Sequence, residues 1–203
     1  MDLFADPTPP NLLPRDGDSR YVEALLGQRE ADDFYTRLHQ EIDWQRDRVK
    51  LYGRDILTKR AVAWHGDAPY RYTYSHHTKI AAPWTPALAE VKARVEAASG
   101  AAFNCCLLNL YHSGEEGMAW HADDEKELQA DGAIASVSLG EPRRFLFRHK
   151  QDKQKCEIEL AHGSLLIMHA PTQIYWQHSL PPMRRAKGAR INLTFRCHAT
   201  EDG

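Results

Sequence analysis

The stretch after Gly100 constrains this chain most. Seven short segments of strand-like composition follow one another there. They are 104–111 (NCCLLNLY), 133–139 (AIASVSL), 143–149 (RRFLFRH), 156–161 (CEIELA), 164–169 (SLLIMH), 174–180 (IYWQHSL) and 189–196 (ARINLTFR). Turn-forming residues separate them, a pattern that points to a sandwich or jelly roll rather than a βαβ sheet. The part before Gly100 reads differently. Thr85, Pro86 and Gly100 suit the N-cap, first residue and C-terminal stop of one helix, with Leu88, Val91 and Val95 on a single face. Tyr21 to about Arg48 also has helical spacing, with Gly27 and the acidic run Glu30–Asp33 expected to break it in two. The first twenty residues, rich in Pro, Asp and Asn, are expected to form an irregular arm. Leu51–Tyr74, with aromatics at 70, 72 and 74, suggests strand. The fold class is therefore α+β, helices first and then a β core.

At 203 residues the chain makes one medium domain or two small ones, long enough to bury a core without disulfides. Its four cysteines, Cys105, Cys106, Cys156 and Cys197, lack C-x-x-C spacing and read as free thiols in a reducing compartment. No apolar run approaches a membrane span, and the first eighteen residues are not expected to be a secretory signal. A cytoplasmic location, or a nuclear one in a eukaryote, is the expectation. The formal net charge of −2 argues against a polybasic nucleic-acid binder. The charge is uneven, however. Residues 1–50 hold 11 acids against 7 bases, and residues 51–203 hold 17 against 19.

Two local patterns carry chemistry. On the segment 189–196, Ile191, Leu193 and Phe195 share one face of a strand, while Arg190, Asn192, Thr194 and Arg196 share the other. That second face is either solvated or a grip for a small dicarboxylate. Two arginines at most about 20 Å apart could hold its two ends through bidentate hydrogen bonds. In WHADDE, His121 and Asp123 stand at i and i+2, on one side of an extended segment. An imidazole and a carboxylate suit non-haem Fe(II), which takes two His and one carboxylate on one octahedral face. His178 is the best third ligand. H-x-D alone is weak; H-x-D with a His 55 positions after the Asp and an Arg 12 beyond that is a much rarer set.

NLY (109–111), HADDE (121–125), IASVSLG (134–140), HGSLLIM (162–168), WQHSL (176–180) and RINLTFR (190–196) together resemble the AlkB family of Fe(II)/2-oxoglutarate dioxygenases. FRHK (147–150) and TYS (73–75) are similar to its branch that repairs alkylated double-stranded DNA. The resemblance runs from about Lys50 to Arg196. It implies a double-stranded β-helix (jelly-roll) core at about 101–197 and a nucleotide-recognition lid at about 46–80. Residues 1–45 would then be an arm and helical extension. It implies Fe(II) on His121, Asp123 and His178. It implies 2-oxoglutarate held at its distal carboxylate by Arg190, Tyr111 and Asn192, with Arg196 and Asn109 near the keto-acid end. O2 would complete the reaction. The implied activity is oxidative demethylation of 1-methyladenine and 3-methylcytosine in DNA, releasing succinate, CO2 and formaldehyde. The expected partner is alkylated DNA, double-stranded included, met by a monomer with no membrane attachment.

The same resemblance assigns the substrate side. A duplex base must be flipped out, and an apolar wedge can fill its place. Leu51 and Tyr52, with Gly53 and Arg54, match the hydrophobic finger; otherwise they simply begin a core strand. Trp64 and His65 match an aromatic lining of the base pocket, or are plain core. Asp124 and Glu125 match residues at the polar edge of the flipped base, or are solvated acids. Arg184, Arg185 and Lys187 match a basic loop on the opposite DNA strand, or are an ordinary solvated face. Arg143, Arg144, Arg148, Lys150, Lys153 and Lys155 form a second basic region.

Rival functions stay open at this level. The same scaffold could act on RNA, single-stranded DNA or protein. A non-catalytic binder of damaged nucleic acid would be expected to carry a broken metal or co-substrate set, and here the set is complete. A zinc hydrolase on the same triad would leave Arg190 and Arg196 without a purpose.

Overall fold

The computed structural model describes residues 8–51, 54–74 and 77–199. The elements run β1 (Asp18–Val22), α1 (Gln28–Glu41), β2 (Gln45–Leu51), β3 (Arg54–Gly66), β4 (Arg71–Tyr74), β5 (His77–Ile80), α2 (Pro86–Ser99), β6 (Cys105–Tyr111) and β7 (Met118–His121). They continue as β8 (Ile134–Gly140), β9 (Arg143–His149), β10 (Lys155–Leu160), β11 (Ser164–His169), α3 (Thr172–Tyr175), β12 (Trp176–Leu180) and β13 (Arg190–Arg196). A seven-stranded sheet has the order β1-β11-β8-β13-β6-β3-β2, and a four-stranded sheet the order β10-β9-β12-β7. The pairing is antiparallel throughout. β4 and β5 form a separate hairpin. This is the jelly roll expected from the run of short strands.

The large sheet is buried on both faces. Its outer face packs under α1 and α2, where Phe34, Leu38, Leu88 and Val91 meet Leu108, Val137, Leu193 and Phe195 in one apolar core. A second core, with Phe145, Phe147, Leu166 and Trp176, lies between the two sheets. β13 serves both. Ile191, Leu193 and Phe195 point under the helices, and Arg190, Asn192, Thr194 and Arg196 point between the sheets. All seven residues of the strand are buried. The solvated face offered by the alternation is therefore not what forms, because a second layer covers it.

α2 ends where its residues require. Thr85 Oγ1 accepts from Leu88 N at 3.3 Å, Pro86 opens the helix, and Gly100 takes the left-handed conformation at φ 67°. The expected helix over Tyr21–Arg48 is corrected at both ends. Tyr21 and Val22 belong to β1, which pairs with β11, and Gln45–Arg48 belong to β2, which pairs with β3. Gly27, extended at φ −65° and ψ 158°, starts α1. The acidic run does not break that helix. Glu30 stands in its first turn, where the helix dipole favours an acid.

The segment before β1 is irregular but tied down. Asn11 Oδ1 accepts from Leu13 N and Ser19 N, and Trp176 Nε1 donates to Arg15 O at 3.0 Å. The expected strand 174–180 begins only at Trp176, after the short turn α3. Among the described residues no helix is long and apolar enough to cross a membrane. All four cysteines are free.

Candidate active site

β7 ends on His121 and β12 carries His178 at its centre. The two are direct partners in the antiparallel ladder, so their side chains leave the small sheet on the same face. Their ring centroids are 4.2 Å apart, edge to face. Asp123 follows two residues beyond β7. Its Oδ1 lies 3.7 Å from His121 Nε2 and its Oδ2 3.9 Å from His178 Nε2. One ligand atom from each residue lies within 4.8 Å of the others, close enough for a single ion to meet all three.

The protonation states suit that ion. His121 Nδ1 donates to Ala119 O at 2.8 Å, which leaves Nε2 as the lone-pair donor. Burial pushes His178 down to about 3, so its imidazole is neutral; Phe145 stacks on it with centroids 5.3 Å apart. Burial alone would raise the Asp123 carboxyl. The Arg196 guanidinium, with Nη2 at 2.7 Å from Oδ1, outweighs it and holds the group below the usual carboxylate range. Two imidazoles and one carboxylate form the facial set that non-haem Fe(II) takes.

A narrow pocket runs from the triad between the sheets, past Asn109 and Asn192 to Tyr111 and Arg190. Register explains the grouping. Arg190 pairs with Tyr111, and Asn192 with Asn109, across β13 and β6, so all four share the inner face. Arg190 Nη2 donates to Ser138 Oγ at 2.8 Å, and Asn192 Nδ2 to Ser136 Oγ at 2.8 Å. Burial lowers Arg190 to about 10, which still leaves it charged at neutral pH. Its Nε is buried with no partner in the protein, and so is Asn109 Oδ1. A buried cation with an unused donor is costly unless an anion meets it. A dicarboxylate whose far end reaches Arg190 fits that need. A half-turn of the Asn109 amide would offer it a further donor. Ser136 and Ser138, which seat Asn192 and Arg190, were not picked out from sequence. Their alternation on β8 was the available signal.

Arg196 lies beside the triad, with Nη1 3.4 Å from Glu125 Oε1 as well as the bond to Asp123. Glu125 is thus engaged by Arg196, while Asp124 is exposed and stands 3.5 Å from Lys150 Nζ. Both acids border a mostly apolar cavity of ≈ 590 Å³ that also reaches Asp123.

The other expected positions lie away from the triad. Trp64 packs in a small buried cluster with Ala81 and Cys105. His65, next on the same strand, turns to the opposite face, where its Nδ1 donates to Pro83 O at 2.6 Å. Both side chains are buried, and neither borders the pocket at the triad or the ≈ 590 Å³ cavity. Arg143 is also buried. It donates to the carbonyls of Ser113, Glu116 and Pro181, so it clamps loops instead of facing a partner. Arg148 lies over the Trp120 ring at 4.2 Å, while Arg144, Lys153 and Lys155 are exposed.

Arg184, Arg185 and Lys187 are exposed around buried Ala186, on a segment pinned by Met183 N to Gly114 O and Gly114 N to Ala186 O. In the finger, Leu51 and Arg54 are paired where β2 meets β3. Tyr52 and Gly53 lie outside the described residues.

The pattern of the 2OG-Fe(II) oxygenase superfamily matches residues 18–196. The chain is 40% identical over 195 residues to the Mus musculus protein named DNA oxidative demethylase ALKBH2, covering 91% of this chain and 82% of that one. It is 39% identical over 183 residues to the Bos taurus protein of the same name, covering 85% of this chain and 66% of the bovine one. It therefore spans somewhat under two thirds of the bovine relative. Its fold is similar to the solved structure of OsALKBH1, with a TM-score of 0.63 at 17% identity over 88% of this chain and 97% of that one. The match begins with β1, so it takes in α1 as well as the jelly roll. On these grounds the chain belongs to the 2OG-Fe(II) oxygenase superfamily, in its AlkB branch.

Proposed function

We propose that this chain repairs DNA by oxidative removal of N-linked methyl groups from bases, 1-methyladenine and 3-methylcytosine among them, in duplex as well as single strands. One observation carries the reading. The His121, Asp123, His178 triad opens on a buried pocket that ends at a partly unsatisfied arginine, in a chain similar to proteins named DNA oxidative demethylase.

Bound iron and 2-oxoglutarate, with O2, supply an oxidation that hydroxylates the methyl carbon and leaves succinate and CO2. The protein's own part is to bind, orient and shield. Arg190, seated by Ser138 and faced by Tyr111, takes the distal carboxylate. Asn109 and Asn192 line the path between. Arg196 steadies the Asp123 carboxylate and keeps it ionised. Phe145, Met168 and Leu180 keep water from the pocket's apolar wall. Asp124 and Glu125, each beside a cation of the protein, offer carboxylate oxygens at the cavity rim to a cationic methylated base. Arg184, Arg185 and Lys187 meet phosphates, and the finger residues Leu51 and Tyr52, with Gly53 and Arg54, wedge the stack. The chain works as a monomer in the compartment that holds the DNA.

The test is mass spectrometry of oligonucleotides carrying 1-methyladenine or 3-methylcytosine, single- and double-stranded, with Fe(II), 2-oxoglutarate and air. Loss of the methyl group with matching succinate is expected. Asp123→Ala should form no succinate. Turnover by a zinc-loaded chain without 2-oxoglutarate would overturn the assignment.

A further inference from the structure

Asp123 stands outside every strand. β7 ends at His121 and β8 starts at Ile134, so no ladder fixes the backbone that carries the carboxylate. Its amide is nevertheless held. Asp123 N–H donates to Gln173 Oε1 at 2.9 Å. A main-chain N–H can only donate, so the Gln173 amide must present its oxygen here. Its NH2 group then meets Met168 Sδ at 3.4 Å. Gln173 is seated in turn by Lys150, whose Nζ donates to Gln173 O at 2.8 Å and stands 3.5 Å from Asp124 Oδ2. Lys150 N also donates to Tyr175 O at 2.7 Å. The residue after β9 and the turn α3 thus grip the two consecutive acids, one by its backbone and one by its side chain.

We propose that Gln173, seated by Lys150, is a positioning residue for the iron site, fixing the Asp123 backbone so that its carboxylate faces His121 and His178. The inference rests on the reading of the triad as an iron site. The need for such an anchor follows from the surroundings. Arg196 draws on the same carboxylate from 2.7 Å. On the other side lies the ≈ 590 Å³ cavity that both Asp123 and Gln173 border, so packing there does not oppose a swing of the loop. Outer partners of metal ligands act by fixing ligand direction, and losing one costs about 10–100-fold in metal affinity.

The test uses the full chain and Mn(II) as an air-stable probe, with affinity read by calorimetry. Amide exchange across residues 122–126 is followed in the metal-free protein. Gln173→Met keeps length and removes the acceptor; Gln173→Glu keeps an acceptor oxygen. Gln173→Met should bind Mn(II) about 10–100-fold more weakly. Its Asp123 amide should exchange faster while the melting temperature stays that of the parent. Gln173→Glu should restore both readouts. Parent-like affinity and exchange in Gln173→Met would overturn the role of Gln173, as would a Gln173→Glu chain no better than Gln173→Met. If Gln173→Met does not fold, Gln173→Ala, which only enlarges an existing cavity, is read by the same two measurements. A parent chain that binds no Mn(II) overturns the iron-site reading itself, a different failure from parent-like binding by the variant.

Discussion

Arg190 and Arg196 are one residue type on one strand face, both buried, yet they face different chemistry. Arg196 is engaged by the carboxylates of Asp123 and Glu125, whereas Arg190 donates to the neutral Ser138 hydroxyl. Substitution should therefore separate them. Arg190→Lys keeps the charge and loses the planar fork. A hydrogen bond to a charged group is worth about 1.5–3 kcal/mol, so KM for 2-oxoglutarate should rise on the order of 10–100-fold with kcat little changed. Arg196→Lys should instead weaken metal binding, because it disturbs Asp123. Succinate formation against 2-oxoglutarate concentration checks the first, and Mn(II) titration the second. An unchanged KM in Arg190→Lys would remove Arg190 from the co-substrate site. The pairing of these arginines on one face was legible from alternation alone. Their burial was not, because nothing local to β13 announces a second sheet above it.

Among elements, the β12–β13 connection holds its cations outward by two close backbone contacts. A Cβ at Gly114 would strike the carbonyl oxygens of Met183 and Ala186, so only glycine lets the two loops meet. If Arg184, Arg185 and Lys187 touch phosphates, changing all three to Gln should weaken duplex binding most at low salt. Each lost contact should lower the slope of log affinity against log salt by roughly 0.9. Gly114→Ala should weaken binding in the same direction with every charge retained, by displacing the loop. Fluorescence anisotropy across a salt series reads both, and an unchanged slope in the triple variant would make the loop a solvated face. How far such elements can be read from sequence depends on what else their residues do. α2 is legible to the residue because Thr85, Pro86 and Gly100 act locally. β7 is missed because four residues at a sheet edge carry no period. The start of α1 is misplaced because Tyr21 and Val22 sit at helical spacing while a distant strand, β11, claims them. Arg143 reads as a surface cation, although it shares its alternation with buried Phe145, Phe147 and His149.

For the whole molecule, net charge says little, since the acids of α1 and the exposed bases after β12 lie in separate regions of the chain. The segment 1–45 says more. An appended helical extension could unfold alone. Here Leu26, Ala31, Phe34, Leu38 and Ile42 belong to the same core as Leu108, Val137 and Leu193, and β1 completes an edge of the large sheet. Without α1 the part of that face not covered by α2 would lie open to water, although Leu193 and Phe195 on that face are the immediate strand neighbours of Asn192, Thr194 and Arg196. Leu38, with no exposed surface, is the sharpest probe. Leu38→Ala should cost about 2–5 kcal/mol, from lost burial plus the cavity left behind. Because one core is shared, urea unfolding followed by tryptophan fluorescence and by circular dichroism should shift as one transition, with both midpoints moving together. A variant whose main transition stays in place, or which splits into two, would make residues 1–45 a separate unit.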